Sequence, residues 1–402
     1  HTPPTNWEAA FNGSVWEWNA ATGEYYLHMF SRKQPDLNWE NPALRAEVYE
    51  VMRFWLDKGV DGFRLDAINF CFHDAALRDN PPKPEHLRTG RGFAPDNPYA
   101  FQYHHYNNTQ PENLALLEDL RALLDRYPEA TTLGEISSED SLATMAEYVS
   151  EKRLHMGYSF ELLTDDGTAA YIRATVERLE AAMVEGWPCW AVSNHDVQRA
   201  VTRWSRRGAG PGLAGQLVAL VCSLRGSVCL YQGEELGLAE AEVPFEALQD
   251  PYGITFWPNF KGRDGCRTPM VWDGSEYGGF STVKPWLPVK APQRARNVAA
   301  QDGVAGSVME FYRAMLAYRK ASALCGRGTR FLDVAEPVLA FTRGDALLCL
   351  FNLSDKAVTL AVEGAGASVG PSQGANITDG TVRLGPLGFA LLTVTGQVRV
   401  KL

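Results

Sequence analysis

The sequence predicts an α/β protein of parallel strands joined by helical crossovers, followed by a small antiparallel β domain. Three observations carry this expectation. Short apolar runs alternate with helix-period stretches up to about residue 240. Three of those runs end in an acid, at Asp66, Glu135 and Asp196. From about residue 330 the pattern changes to alternating apolar runs separated by turn residues.

Residues 1–38 are rich in Trp, Pro, Asn and Gly without a steady period. They read as loop, with one strand at "EYYLHMF". Asn41-Pro42 then supplies a helix cap and a first-turn proline. Leu44, Val48, Val51 and Trp55 recur at helical spacing, which predicts one buried stripe. "GVDGFRLDAINF" (59–70) is a short apolar strand. Residues 71–110 form a loop-rich insertion, long enough to suggest function or disorder. Helices near 111–127, 139–152, 166–185 and 212–224 alternate with the strand-like runs "ATTLGEI", "HMGYSFEL", "CWAVSNHD" and "SVCLYQGEELG". That makes five strands, and parallel strands need such crossovers. Residues 240–302 are irregular, and a last amphipathic helix lies near 304–320. The closing runs are "VLAFTR", "ALLCLFNL", "VTLAV" and "TVRLGPLGFALLTV", with turns at Arg343-Gly344-Asp345 and Asp379-Gly380.

The 402 residues exceed one ordinary domain, and 45% hydrophobic with 21% charged content is a globular composition. The net charge of -10 argues against nucleic acid or an anionic membrane surface as partner. No apolar run reaches the length of a membrane span. The seven cysteines are odd in number, widely spaced and set among apolar neighbours, so they read as buried thiols of a reducing cytoplasm. No Cys or His spacing suggests a metal site, and no cofactor is expected.

Arg64 and Asp66 share one face of their strand, with Phe63, Leu65 and Ala67 on the other. A cation and a carboxylate aimed into one interior are costly unless they pair or serve chemistry. Polar groups at the carboxyl ends of parallel strands converge where barrel active sites sit. Two such carboxylates are the equipment for cleaving a glycosidic link, one attacking the sugar carbon and one protonating the leaving oxygen. A neighbouring arginine keeps the attacking group ionised.

"GVDGFRLDAINF", "TLGEI" and "AVSNHD", in that order, resemble three signature regions of the α-amylase superfamily of glycoside hydrolases. "QPDLN" (34–38) and "GCRTPMVW" (265–272) resemble two further runs of its oligo-1,6-glucosidase and α-glucosidase group. The resemblance implies a (β/α)8 TIM barrel with Asp66 as nucleophile and Glu135 as general acid/base. Asp196 would bind sugar hydroxyls, Arg64 orient Asp66, His195 hydrogen-bond the glucose, and Arg267 grip the non-reducing end. Phe160 is a candidate for stacking on sugar. In similar enzymes Val after the nucleophile goes with α-1,6 links and Thr or Ala with α-1,4, so Ala67 favours maltose-like substrates. The implied activity is a retaining exo-α-glucosidase, able to pass glucose to other hydroxyls. The alternatives are a sucrose- or trehalose-forming glucosyltransferase, or a non-catalytic relative serving as a partner subunit.

The superfamily's first signature is absent, and five strands do not close an eight-stranded barrel. The expected organisation is the tail of an excursion domain at 1–38, barrel strands 4–8 over 39–325, and a β-sandwich-like domain at 326–402. Strands 1–3 are then expected on a separate chain or missing piece of the same enzyme.

Overall fold

The computed structural model describes residues 2–88, 94–205, 211–322, 324–326 and 328–402. It divides into two compact units, 1–159 with 182–189 and 258–260, and 160–181 with 190–257 and 261–402.

The first unit opens with an antiparallel hairpin of β1 (Trp16–Asn19) and β2 (Glu24–Leu27), Trp16 opposite Leu27. The sequence reading found only the second of these strands. "WEWN" alternates over four residues, too few for its period to stand out. The turn signal is local: the Asn19 side chain accepts the Ala21 N–H and Gly23 takes φ +72°. Trp7, Ala9, Val15 and Met29 form the core beneath the hairpin.

Helix α1 (Pro42–Asp57) is capped as expected, the Asn41 side chain accepting from Ala43 N–H. Its predicted stripe is not buried. Leu44 and Val48 are half-buried, Val51 and Trp55 are 57% and 48% exposed, and the residues that are covered are Met52 and Leu56. Spacing finds an apolar face but not what covers it. Among the described residues this one is left with Phe54 packed edge-on against Trp55 and Lys58 over the Phe54 ring.

Strands β3 (Gly62–Leu65), β4 (Thr131–Glu135) and β5 (Met156–Ser159) pair in parallel, with Arg64 opposite Leu133 and Glu135 opposite Tyr158. Helices α2 (Glu112–Leu124) and α3 (Ser141–Tyr148) are the crossovers, α2 burying Leu116, Leu117, Leu120, Leu123 and Leu124. β6 (Trp187–Trp190) follows β5 in the sheet, and β3 stands at its edge. The insertion at 71–110 is held by buried amides. Asn80 donates to Gln102 and Asn107, and Asn6 and Asn80 bond each other. These pairings satisfy loop backbone that water does not reach.

In the second unit α4 (Ala169–Ala182), the short α5 (Ala200–Arg203), α6 (Pro211–Ser223) and β7 (Ser227–Val228) follow the predicted alternation. Residues 240–302 hold only short turns beside α7 (Pro251–Thr255) and α8 (Ala291–Arg294), and α9 (Val308–Ser322) is the last helix. The buried guanidinium of Arg319, from α9, donates to the carbonyls of Cys222, Leu224 and Gly226 at the end of α6. It satisfies acceptors that a helix terminus otherwise leaves open.

The closing sheet contains β8 (Thr329–Phe331), β9 (Val338–Arg343), β10 (Leu347–Asn352), β11 (Val358–Ser368), β12 (Gln373–Thr378) and β13 (Thr381–Lys401). β13 pairs antiparallel with β10 and β12, and β9 with β10 and β8. One face buries Ala340, Leu348, Leu350, Ala390 and Leu392. Phe341, Phe351 and Phe389 stack on the other, where Phe389 meets Phe311 of α9. Burial on both faces explains the nearly continuous apolar runs of β9 and β10.

Candidate active site

Gly62 opens β3 at φ +145°, and a Cβ there would sit 2.0 Å from the Thr131 carbonyl oxygen. The strand thus starts tight against β4, which fixes where Arg64 and Asp66 emerge. The chain then breaks sharply, Ala67 taking φ +41°, a left-handed conformation that costs a non-glycine residue energy. The turn is secured by the fully buried Asn69, whose amide donates to Thr109 Oγ1 at 2.9 Å and the Ser137 carbonyl at 2.7 Å. It aims the Ala67 N–H at Glu135 Oε2, 3.1 Å away.

Arg64 spans both acids of the first unit. One guanidinium nitrogen bonds Asp66 Oδ1, and the other bonds Glu135 Oε1 at 2.8 Å. Asp66 and Glu135 also share a hydrogen bond. The environments differ: the Asp66 side chain is 75% exposed and that of Glu135 10%. Burial, then the contact with Asp66, pushes the Glu135 carboxyl up to about 7 against the opposing pull of Arg64 and the Ala67 N–H. Two carboxylates this close, one holding a proton near neutral pH, are equipped as nucleophile and acid.

The second unit assembles another cluster. Asn194 Oδ1 accepts the N–H groups of Asp196 at 2.9 Å and Val197 at 3.1 Å, shaping the turn that presents Asp196. Asp196 Oδ2 lies 3.3 Å from His195 Nε2. Oδ1 receives Arg267 Nη2 at 2.9 Å and Arg263 Nη1 at 3.0 Å. Arg267 also donates to the His195 carbonyl at 2.7 Å. Three predicted residues, His195, Asp196 and Arg267, thus meet directly. Phe160, half-buried, accepts the Leu163 N–H and closes a 3-10 turn after β5. Sequence reasoning missed Arg263, Asp250, Asn194 and the Ala67 N–H. The first two lie in the irregular 240–302 stretch, where no periodicity singles out a residue. Among the described residues no group of acids, histidines and cysteines could hold a metal ion.

Parallel strands bringing two carboxyl groups together at their carboxyl ends are the arrangement of the barrel glycosidase class. The α-amylase catalytic domain matches residues 1–328, and the chain belongs to the α-amylase family of glycoside hydrolases, whose fold is a TIM barrel with a C-terminal antiparallel sheet domain. A probable α-glucosidase of Rhizobium meliloti (strain 1021) is 47% identical over 366 residues, 89% of this chain and 66% of that protein. An oligo-1,6-glucosidase of Parageobacillus thermoglucosidasius is 34% identical, covering 88% of this chain and 67% of that protein. The solved α-glucosyl transfer enzyme XgtA superposes with TM-score 0.92 at 57% identity, over 98% of this chain and 75% of XgtA. The trehalulose synthase MutB from Pseudomonas mesoacidophila MX-45 gives 0.82 at 27%, over 98% of this chain and 76% of that one. The chain spans about two thirds of the length of the curated relatives it matches.

Proposed function

We propose that this chain carries the catalytic machinery of a retaining exo-α-glucosidase. The observation that carries the reading is the Arg64 guanidinium shared by Asp66 and Glu135, with the latter holding its proton near neutral pH. Two carboxyl groups on one guanidinium, hydrogen-bonded to each other, fit the close spacing of retaining enzymes, about 5–5.5 Å, not the 6.5–9.5 Å that leaves room for an attacking water. Asp66 attacks the anomeric carbon as the glycosidic C–O bond breaks, and Glu135 gives its proton to the departing oxygen. Glu135 then takes a proton from an incoming hydroxyl, whose oxygen displaces Asp66 and restores both groups. Asp196, His195, Arg267 and Phe160 take the sugar-binding roles that the resemblance implies.

Water or another hydroxyl can attack the intermediate, so hydrolysis and glucosyl transfer share one machinery. The 57% identity to an α-glucosyl transfer enzyme favours transfer as a second activity. Ala67 favours α-1,4 substrates such as maltose, with sucrose as a further candidate. A reducing cytoplasm suits seven cysteines that are all free thiols. No described helix is long and apolar enough to cross a membrane.

The domain boundaries and the partner belong to the same proposal. β3 to β7 correspond to barrel strands 4–8 over 39–325, with an excursion tail before and the β domain after. A further segment of the same enzyme supplies strands 1–3 and covers the β3 edge and the exposed Val51, Phe54 and Trp55 of α1. A bare edge beside an apolar face is otherwise an aggregation hazard. A denaturing gel or intact-mass measurement of active material tests this, and a sole 402-residue species would end it.

NMR of the first-formed product anomer, with a panel of maltose, isomaltose, sucrose and trehalose, tests the activity. Initial α-glucose from maltose or sucrose is expected. Initial β-glucose would exclude retention.

A further inference from the structure

Arg199 and Glu234 are both buried in the second unit, and most of their polar atoms are paired. Arg199 Nη1 donates to the Gln232 carbonyl and Nη2 to the Cys266 carbonyl, each at 2.9 Å. Its guanidinium carbon lies over the Tyr231 ring, 5.2 Å from the centroid. Glu234 Oε2 accepts the Tyr231 N–H at 2.8 Å. Gly233 leaves the room this takes, since a Cβ there would fall 2.7 Å from Arg199 Nη1. One atom on each side chain is left over. Among the described residues, Arg199 Nε and Glu234 Oε1 are buried with no hydrogen-bond partner. A donor and an acceptor taken from water and left unmet are both costly.

The two residues line one small cavity, together with Ser193, Tyr312, Leu217 and Leu238. The space open to the centre of a water molecule there is about 10 Å³, which is what a single water needs. Ser193 Oγ accepts the Ala200 N–H at 2.9 Å, which leaves its own proton to be placed. Tyr312 brings a second buried hydroxyl. Ser193 and Ala200 stand at the two ends of the loop that presents Asp196, so the cavity sits at the base of that loop.

We propose that this cavity is a binding site for one ordered water molecule, which accepts the Arg199 Nε–H and pairs with Glu234 Oε1. The chemistry of the lining selects water. The guest must accept a hydrogen bond from Nε–H, which no metal cation or ammonium ion can do. It must also sit against a carboxyl oxygen, which repels an anion whenever it is ionised. Water donates to the carboxylate or accepts from the acid, so it suits either form of a group that burial holds up at about 8. With the hydroxyl of Ser193 or Tyr312 as a further partner, it reaches the count of about three bonds usual for a buried water. The assignment does not depend on which sugar Asp196 meets.

Crystal structures of the complete enzyme at about 1.5 Å or better test this, for wild type, Glu234→Gln and Glu234→Leu, with bromide and rubidium soaks of wild type. The expected result is one peak within about 2.5–3.2 Å of both Arg199 Nε and Glu234 Oε1, without anomalous signal in either soak. Glu234→Gln should keep the peak, since an amide offers either a donor or an acceptor. Glu234→Leu, close in size and offering neither, should lose it. A wild-type cavity without a peak, Arg199 Nε in direct contact with Glu234, or bromide or rubidium at the site overturns the proposal. So does a peak that stays unmoved in Glu234→Leu. If Glu234→Leu does not fold, the wild-type and soak maps decide alone.

Discussion

At the residue scale, the division of labour proposed for Asp66 and Glu135 follows from exposure. A carboxyl 10% exposed is pushed by burial toward its protonated form, while its 75% exposed neighbour pairs with the Arg64 guanidinium. If Asp66 is the nucleophile as proposed, Asp66→Asn should lower kcat by at least about 10³-fold, because an amide cannot form the covalent intermediate. Glu135 must be protonated to act as the acid, and its pKa lies near 7. kcat/KM should therefore fall as pH rises through about 7, and a pH-rate profile of the free enzyme checks it. Glu135→Gln should abolish that limb. The Arg64–Asp66 contact was legible in the sequence, because strand alternation puts residues two apart on one side, although Asp66 lies in the turn just past β3. The Ala67 N–H was not, since a left-handed backbone at alanine leaves no compositional trace. Nor was the Arg263–Asp250 pair, whose partners lie in a stretch without period.

At the element scale, β3 carries Arg64, leads directly into Asp66, and is placed by a glycine. Gly62→Ala would drive a methyl into the Thr131 carbonyl at a backbone angle that alanine resists. It should destabilise the protein by about 2–4 kcal/mol, read by urea unfolding, and lower activity through Arg64 and Asp66. The alternation of strand and helix was readable because each crossover carries its own caps and apolar period, as at Asn41-Pro42. The elements that escaped are short or two-faced. β1 and β8 span four and three residues, and β12 has an exposed Ile377 where alternation leads one to expect a buried residue.

At the scale of the whole molecule, two features set stability. The first is the uncovered stripe of α1. With a further segment packed on it, Phe54→Ser and Trp55→Ser should each cost the complete protein about 2–4 kcal/mol. On a free surface the change would stay within about 0.5 kcal/mol. The second is the set of buried acids. Burial raises Glu135 and Glu240 to about 7 and Glu234 to about 8, so the folded state binds their protons more tightly than the unfolded chain. Their contribution is fully present below about 4.5 and is lost as pH climbs through 7 to 8. Tm should decline over that window, and Glu234→Gln should flatten part of the slope in a scanning calorimetry series. The sequence showed these acids only as letters within apolar runs, since depth of burial is a tertiary property.

The central claim is that Asp66 becomes covalently bonded to the sugar, and trapping tests it most directly. The complete enzyme should be treated with a 2-deoxy-2-fluoro or 5-fluoro α-glucosyl donor, digested and mapped by mass spectrometry. One glucosyl adduct on the peptide bearing Asp66, absent in Asp66→Asn, is the expected result. An adduct on Glu135 or elsewhere, or steady turnover of the donor with inversion and no adduct, would contradict it.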